Sequence, residues 1–294
     1  MEKRELEILI ERTRSLLFGL FAKKIDESGS PIILAAGSGI FTAPFLGITA
    51  RHNSVELHRL DWRGDPRNRP KKGVVGPTEY SAYVFQGSRQ LPIWQVNSTF
   101  VNSWTDISLV YLSAHNEAAE QLAREKMPFF PWRTQPPPQG AEVVLFGFPG
   151  FKAEKGNGDK VNISAAEMKY KIARVLEVHE QRANDTGKGT FPCFLIDQFV
   201  EHGFSGGPVI YNGELCGMLS SDADAGKGTY AASLWPLALM TCEFKGQIFS
   251  KMPVSELLNK KIINSSDWKQ TNSRISVYRV EGVFNPLDYA KIDL

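Results

Sequence analysis

An all-β chain of two antiparallel barrels, with one helix before them and a helix and tail after, is the architecture that three features predict. From about residue 30 to 245 the chain is cut into short apolar or alternating runs bounded by Gly, Pro, Asn and Asp, the punctuation of strands and turns. Near its middle the stretch Thr134-Gln135-Pro136-Pro137-Pro138-Gln139-Gly140 breaks that pattern, because prolines offer no ladder N–H and stiffen the backbone. At 294 residues and 42% hydrophobic content, the chain can fill a core on each side of this connector.

In chain order, Leu6, Leu9, Ile10, Thr13, Leu16, Leu17, Leu20 and Phe21 follow helical spacing with charges between them. An amphipathic helix is therefore expected over residues 3–24, within an N-terminal unit 1–28 that docks on the barrels, with an interfacial membrane helix or a partner-binding helix as the alternatives. Its acidic residues Glu2, Glu5, Glu7 and Glu11 argue against attachment to an anionic bilayer. The first barrel is expected over 29–133, with strand-like runs at 32–36, 40–42, 74–75, 80–85 and 109–112. Residues 134–140 connect it to the second barrel, 141–248, with runs at 143–146 and 209–211. In the remainder, 249–294, residues 254–262 read as a short capped helix and 275–280 as a strand or extended tail. That remainder is too short for a PDZ domain.

Composition narrows the function classes. A net charge of +2 gives no electrostatic case for nucleic acid. The basic residues Arg63, Arg67, Arg69, Lys71 and Lys72, interrupted by Pro66 and Pro70, read as a solvated surface loop. No apolar stretch approaches membrane-spanning length, and the run 16–22 ends in Lys23-Lys24 without a cleavage site. The cysteines Cys193, Cys216 and Cys242 are odd in number and form no C-x-x-C pair, which suggests neither a disulfide framework nor a zinc site. A reducing, cytoplasmic setting is the expectation. No metal or cofactor is expected. Asp222-Ala223-Asp224-Ala225-Gly226 begins like a calcium loop but has Ser233 at the twelfth position. Gly187-Lys188-Gly189-Thr190 and Gly226-Lys227-Gly228-Thr229 lack the ending of a phosphate loop.

The chemistry concentrates in Gly203-Phe204-Ser205-Gly206-Gly207-Pro208. Ser205 stands in a turn nearly without side chains, where the amides of Gly203 and Ser205 are placed to face a developing oxyanion. A serine hydroxyl needs a base to take its proton and a third group to hold that base. The segment also matches G-x-S-x-G, the nucleophile elbow of α/β-hydrolases, whose histidine follows the serine. Here His52, His58, His115, His179 and His202 all precede Ser205, so the hydrolase order fails. His202 is too near in sequence to turn back on Ser205, and His58, His115 and His179 lie in charged surroundings. His52 remains, at the end of the strand-like Ile40-Phe41-Thr42-Ala43-Pro44-Phe45-Leu46-Gly47-Ile48-Thr49-Ala50-Arg51-His52, which follows the small turn Gly37-Ser38-Gly39.

With Thr49-Ala50-Arg51-His52, then Thr105-Asp106-Ile107-Ser108-Leu109, then Gly203-Phe204-Ser205-Gly206-Gly207-Pro208, the chain resembles the chymotrypsin-like (trypsin family) serine proteases, and among them non-secreted bacterial trypsin-like peptidases. Asp106 lies 54 residues after His52 and 99 before Ser205, the order and approximate spacing of that family. The resemblance implies a serine endopeptidase acting on protein or peptide, with His52 as base, Asp106 as its orienter and Ser205 as nucleophile. It implies a pocket lined by Phe199, Val200, Ser220, Ser221, Asp222 and Gly228, with Ser220 also bonding the buried acid. Phe199, six residues before Ser205, stands where trypsins carry an aspartate, which points to an apolar or small residue at the cleavage site. Asp222 or Asp224 folded towards the pocket would instead select Lys or Arg. Two departures from the family matter: Asn53 stands where secreted relatives carry a cystine beside the histidine, and Phe204 replaces the aspartate that receives a newly cut N-terminus. The oxyanion hole is then either ready-formed or arranged by a protein regulator. The alternative is a catalytically silent binding module on the same scaffold.

Overall fold

The computed structural model describes residues 2–25, 31–55, 81–86, 92–101, 104–125, 127–156, 161–164, 167–180, 189, 191–223, 228–242, 252–277 and 290–292. Two closed antiparallel barrels of six strands each dominate it. The first contains β1 (Leu17–Ile25), β2 (Pro31–Ala43), β3 (Leu46–Ala50), β4 (Ser81–Gln86), β5 (Ile93–Val101) and β6 (Ile107–Ala114), in the order β1-β2-β3-β6-β5-β4. Its interior is filled by aromatic rings: Phe18 meets Phe41 edge-on at 5.3 Å, and Phe41 meets Trp94 at 5.1 Å. Such pairs add to the area term about 0.5–1.5 kcal/mol each.

The N-terminal helix is shorter than its apolar spacing suggests. Helix α1 spans Lys3–Arg14, and the following apolar run is strand β1, so the first barrel begins at Leu17 rather than at residue 29. Leu17, Phe18, Leu20, Phe21 and Ala22 are all buried, on both faces of the strand. A run buried on both sides carries no alternation and reads equally well as helix. The expected runs 32–36 and 40–42 likewise belong to one long strand, β2. The expected run 74–75, His58, the basic stretch 63–72, Asp224 and most of the two lysine-bearing turns lie outside the described residues. After β6 comes a helix that the sequence pattern did not single out, α2 (Glu117–Arg124), whose N-terminal Asn116 side chain accepts from the Ala119 N–H at 3.0 Å.

The second barrel contains β7 (Glu142–Gly147), β10 (Lys169–His179), β11 (Cys193–Ile196), β12 (Pro208–Tyr211), β13 (Glu214–Asp222) and β14 (Thr229–Ser233), in the order β10-β11-β14-β13-β12-β7. A hairpin of β8 (Lys152–Lys155) and β9 (Val161–Ser164) projects after β7. Cys193 and Cys216 are buried in this half and form no disulfide. Burial pushes the Cys216 thiol well above its ordinary range. Cys216 in the folded protein is therefore expected to resist iodoacetamide at pH 8 and to react only after denaturation; peptide mapping of the alkylated protein checks this.

Between the barrels the chain is pinned by the C-terminal segment, which folds as α3 (Val254–Asn259) and α4 (Trp268–Arg274), the first shorter than the expected 254–262. The Asp267 carboxylate accepts from the Thr134 N–H at 2.8 Å, the Thr134 hydroxyl at 2.7 Å and the Gln135 N–H at 2.9 Å. One acidic side chain thus satisfies the backbone just before the prolines, where no ladder is available. Removing it leaves the two backbone N–H donors without their acceptor, while the Thr134 hydroxyl keeps Thr271 Oγ1 at 2.7 Å. Asp267→Ala is expected to cost about 3 kcal/mol, seen by calorimetry as a fall in Tm of about 8 °C.

Candidate active site

Strand register brings the first two residues together. Ala50 pairs with Ile107 at the end of the β3–β6 ladder, which sets Asp106 opposite the residues that follow β3. The chain turns helically at 51–55, and the Arg51 N–H donates to the Asp106 carbonyl at 2.9 Å. His52 therefore leaves the ladder beside the Asp106 side chain. Its Nδ1 lies 2.8 Å from Asp106 Oδ2, and its backbone N–H donates to Oδ1 at 3.2 Å. A carboxylate only accepts, so Nδ1 carries the proton and the Nε2 lone pair faces outward. Asp106 is 5% exposed, while the His52 side chain is 41% exposed. The Ser220 hydroxyl donates to Asp106 Oδ2 at 2.5 Å, and Arg51 Nε stands 3.9 Å from Oδ1. The buried acid is held by donors from both barrels.

Ser205 arrives from the second barrel. Pro208 pairs with Met218 in the β12–β13 ladder, and the Gly206 N–H donates to the Leu219 carbonyl at 2.8 Å. That bond sets Ser205 beside Ser220. Ser205 Oγ lies 2.5 Å from His52 Nε2 and 3.0 Å from the Ser220 carbonyl. The hydroxyl proton thus has two acceptors, of which the imidazole is the basic one.

The turn itself needs glycine. Gly206 has φ +78°, and a Cβ there would overlap the Ser38 carbonyl and the Thr49 hydroxyl of the first barrel. Gly203 has φ +102°, and its Cβ would overlap the Phe148 carbonyl. Among the described residues, neither the Gly203 N–H nor the Ser205 N–H donates a hydrogen bond. Two backbone donors are therefore left over at the serine, as an oxyanion site requires. Gly206→Ala is expected to lower kcat about 100-fold, because the added methyl pushes Ser205 off the imidazole by a distance on the order of 1 Å. Steady-state kinetics on a peptide substrate check it.

Other sequence candidates fall as follows. Phe204 is fully buried in the second core, with Lys171 Nζ 5.6 Å above its ring. Phe199 is half exposed, with its carbonyl accepting from Lys171 Nζ at 2.9 Å, and Val200 packs against the second core. Ser221 is half-buried, and Gly228 is buried at the start of β14. The side chain of Asp222 lies outside the described residues. Of the remaining histidines, His115 packs on Tyr83 at 4.8 Å and His179 stands 3.3 Å from Glu177. His202 is exposed.

Two residues that sequence reasoning did not place in the site touch it. Asn53, 1% exposed, donates from Nδ2 to the Ser205 carbonyl at 2.9 Å and to Thr49 Oγ1 at 3.1 Å. Ser38 donates its hydroxyl to the Gly203 carbonyl at 2.6 Å. Their only signal in the sequence was position, Asn53 directly after the histidine and Ser38 in the Gly37-Ser38-Gly39 turn. Two cavities among the described residues lie elsewhere. One of about 690 Å³ separates α1 from β7 and β12, and one of about 460 Å³ lies under Phe45, Trp94 and Phe129.

No protein-family model and no curated protein sequence matches the chain. Solved structures do. The crystal structure of Deg5 superposes at TM-score 0.51 and 13% identity, over 80% of this chain and 91% of that one. The active form of the Rv3671c protease from M. tuberculosis matches at TM-score 0.47 and 17% identity, over 76% and 78%. Neuropsin, a serine protease of mouse brain, matches at TM-score 0.45 and 12% identity, over 76% and 92%. The fold is the chymotrypsin-like double barrel of trypsin-like serine proteases.

Proposed function

We propose that the protein is a serine endopeptidase. The observation that carries this reading is the continuous chain of contacts from Asp106 through His52 to Ser205, with the Gly203 and Ser205 N–H groups donating to no partner among the described residues. In this mechanism Ser205 Oγ attacks a peptide carbonyl as His52 Nε2 takes its proton, and Asp106 stabilises the imidazolium. The Gly203 and Ser205 amides hold the oxyanion. His52 then protonates the leaving amine, and water repeats the sequence on the acyl-enzyme. Protein or peptide is the substrate, and Phe199, at the position where trypsins carry an aspartate, favours an apolar or small residue at the cleavage site. No helix among the described residues is long and apolar enough to cross a membrane.

The test is incubation of the purified protein with denatured casein and a peptide library, with new termini identified by mass spectrometry. Cleavage at recurring side chains is expected. Intact peptides after prolonged incubation would instead favour a binding module on the same scaffold.

A further inference from the structure

An oxyanion is stabilised well only when its donors are aimed before the substrate arrives. In a trans peptide the C=O and N–H groups point to opposite sides, so whatever anchors a carbonyl also aims the N–H of the same peptide. The His202 carbonyl shares its peptide with the Gly203 N–H and accepts from the Gly150 N–H at 3.1 Å. The Phe204 carbonyl shares its peptide with the Ser205 N–H and accepts from the Gly207 N–H at 2.7 Å. Both oxyanion donors are therefore turned by bonds on the far side of their own peptides.

Ser38 ties these bonds together. It lies on β2 of the first barrel and is fully buried. Its hydroxyl donates to the Gly203 carbonyl, between the two anchored peptides, at 2.6 Å. The same oxygen accepts from the Phe148 N–H at 3.0 Å, and Phe148 opens the turn whose Gly150 holds His202. The Ser38 N–H donates to the Ser205 carbonyl at 2.8 Å. One residue of the first barrel thus bridges the turn after β7 and both ends of the nucleophile loop. Phe204 meanwhile offers no carboxylate to an incoming ammonium, and its ring is already packed in the core.

We propose that Ser38 is a positioning residue that locks the two oxyanion donors in their working directions. Docking of the first barrel on the second then assembles the oxyanion hole, without a proteolytic cut and without a partner protein. This inference rests on the peptidase reading of Ser205 and says how that site is switched on.

The test compares the intact wild-type protein with Ser38→Ala, measuring kcat and KM on a peptide amide and the affinity for a peptide aldehyde, whose adduct places an oxygen in the oxyanion hole. Wild-type protein of unprocessed mass is expected to be active alone. In S38A, kcat and aldehyde affinity are each expected to fall about 100-fold with KM changed less than about twofold, since the lost contact acts in the transition state. Should S38A fail to fold, Ser38→Cys keeps the shape with a weaker donor, and a loss of about tenfold in both quantities is expected. A folded S38A or S38C with wild-type kcat and aldehyde affinity overturns the lock, as does a change confined to KM or a wild type that is active only after cleavage or with an added factor. A wild type that takes up no fluorophosphonate at Ser205 removes the peptidase reading itself, and the lock with it.

Discussion

Ser205→Ala is expected to lower kcat on a peptide substrate by about 10⁶-fold, with KM nearly unchanged. At 1.36 kcal/mol per factor of ten, that is a loss of about 8 kcal/mol of transition-state stabilisation. The size follows from the geometry. In the proposed mechanism the hydroxyl of Ser205 forms the new bond, and without it His52 has no proton to accept from the protein at 2.5 Å. A residual acceleration of about 10³ over water is expected to survive, because the Gly203 and Ser205 amides and the binding cleft remain. The fold should be untouched. Among the described residues Ser205 Oγ bonds His52 and the Ser220 carbonyl, whereas the backbone of the turn is held by Ser38, Asn53 and Leu219. Unchanged Tm with lost turnover is the expected pair of results, and retained hydrolysis in the folded variant would contradict the assignment.

Asp106→Asn is the second large effect, a fall in kcat of about 10⁴-fold. The change is isosteric, and the His52 and Ser220 donors at this side chain tempt the new amide to keep its place. An amide NH₂ turned to His52 Nδ1 demands the other tautomer, with the proton on Nε2. That nitrogen then faces the Ser205 hydroxyl as a donor and cannot take its proton. Loss of the carboxylate charge also removes the stabilisation of the imidazolium. Stopped assays on D106N alongside the wild type measure the effect. A variant within tenfold of wild type would show that Asp106 neither sets the tautomer nor stabilises the cation.

The site was more legible in the sequence than its supports. Ser205, His52 and Asp106 stand at ends of strands, where short motifs of small residues mark them, and the antiparallel register then forces 50 against 107 and 208 against 218. The supports act through backbone atoms. Ser38 bonds a carbonyl 165 residues away, and Asn53 one 152 residues away, and nothing local distinguishes either from a turn residue. The same holds for Asp267, which looks like a helix-start acid and in fact accepts from backbone 132 and 133 residues earlier. In the fold, short apolar runs set off from turns, such as 109–112 in β6 and 143–146 in β7, were readable, while β1 was not, because its buried residues continue the helical spacing of α1 without a break. Helix α2 was equally hidden, since its apolar face is a few short residues between charges.

One measurement reaches the central claim, that an imidazole braced by Asp106 makes Ser205 alone nucleophilic. Wild-type protein and the S205A, H52A and D106N variants are treated with a fluorophosphonate at neutral pH and their intact masses followed with time. A single adduct on the wild type, mapped to Ser205 by peptide sequencing, is expected, with none on S205A and labelling slowed by orders of magnitude in the other two. An unlabelled wild type, an adduct on another residue, or H52A labelled at the wild-type rate would contradict it.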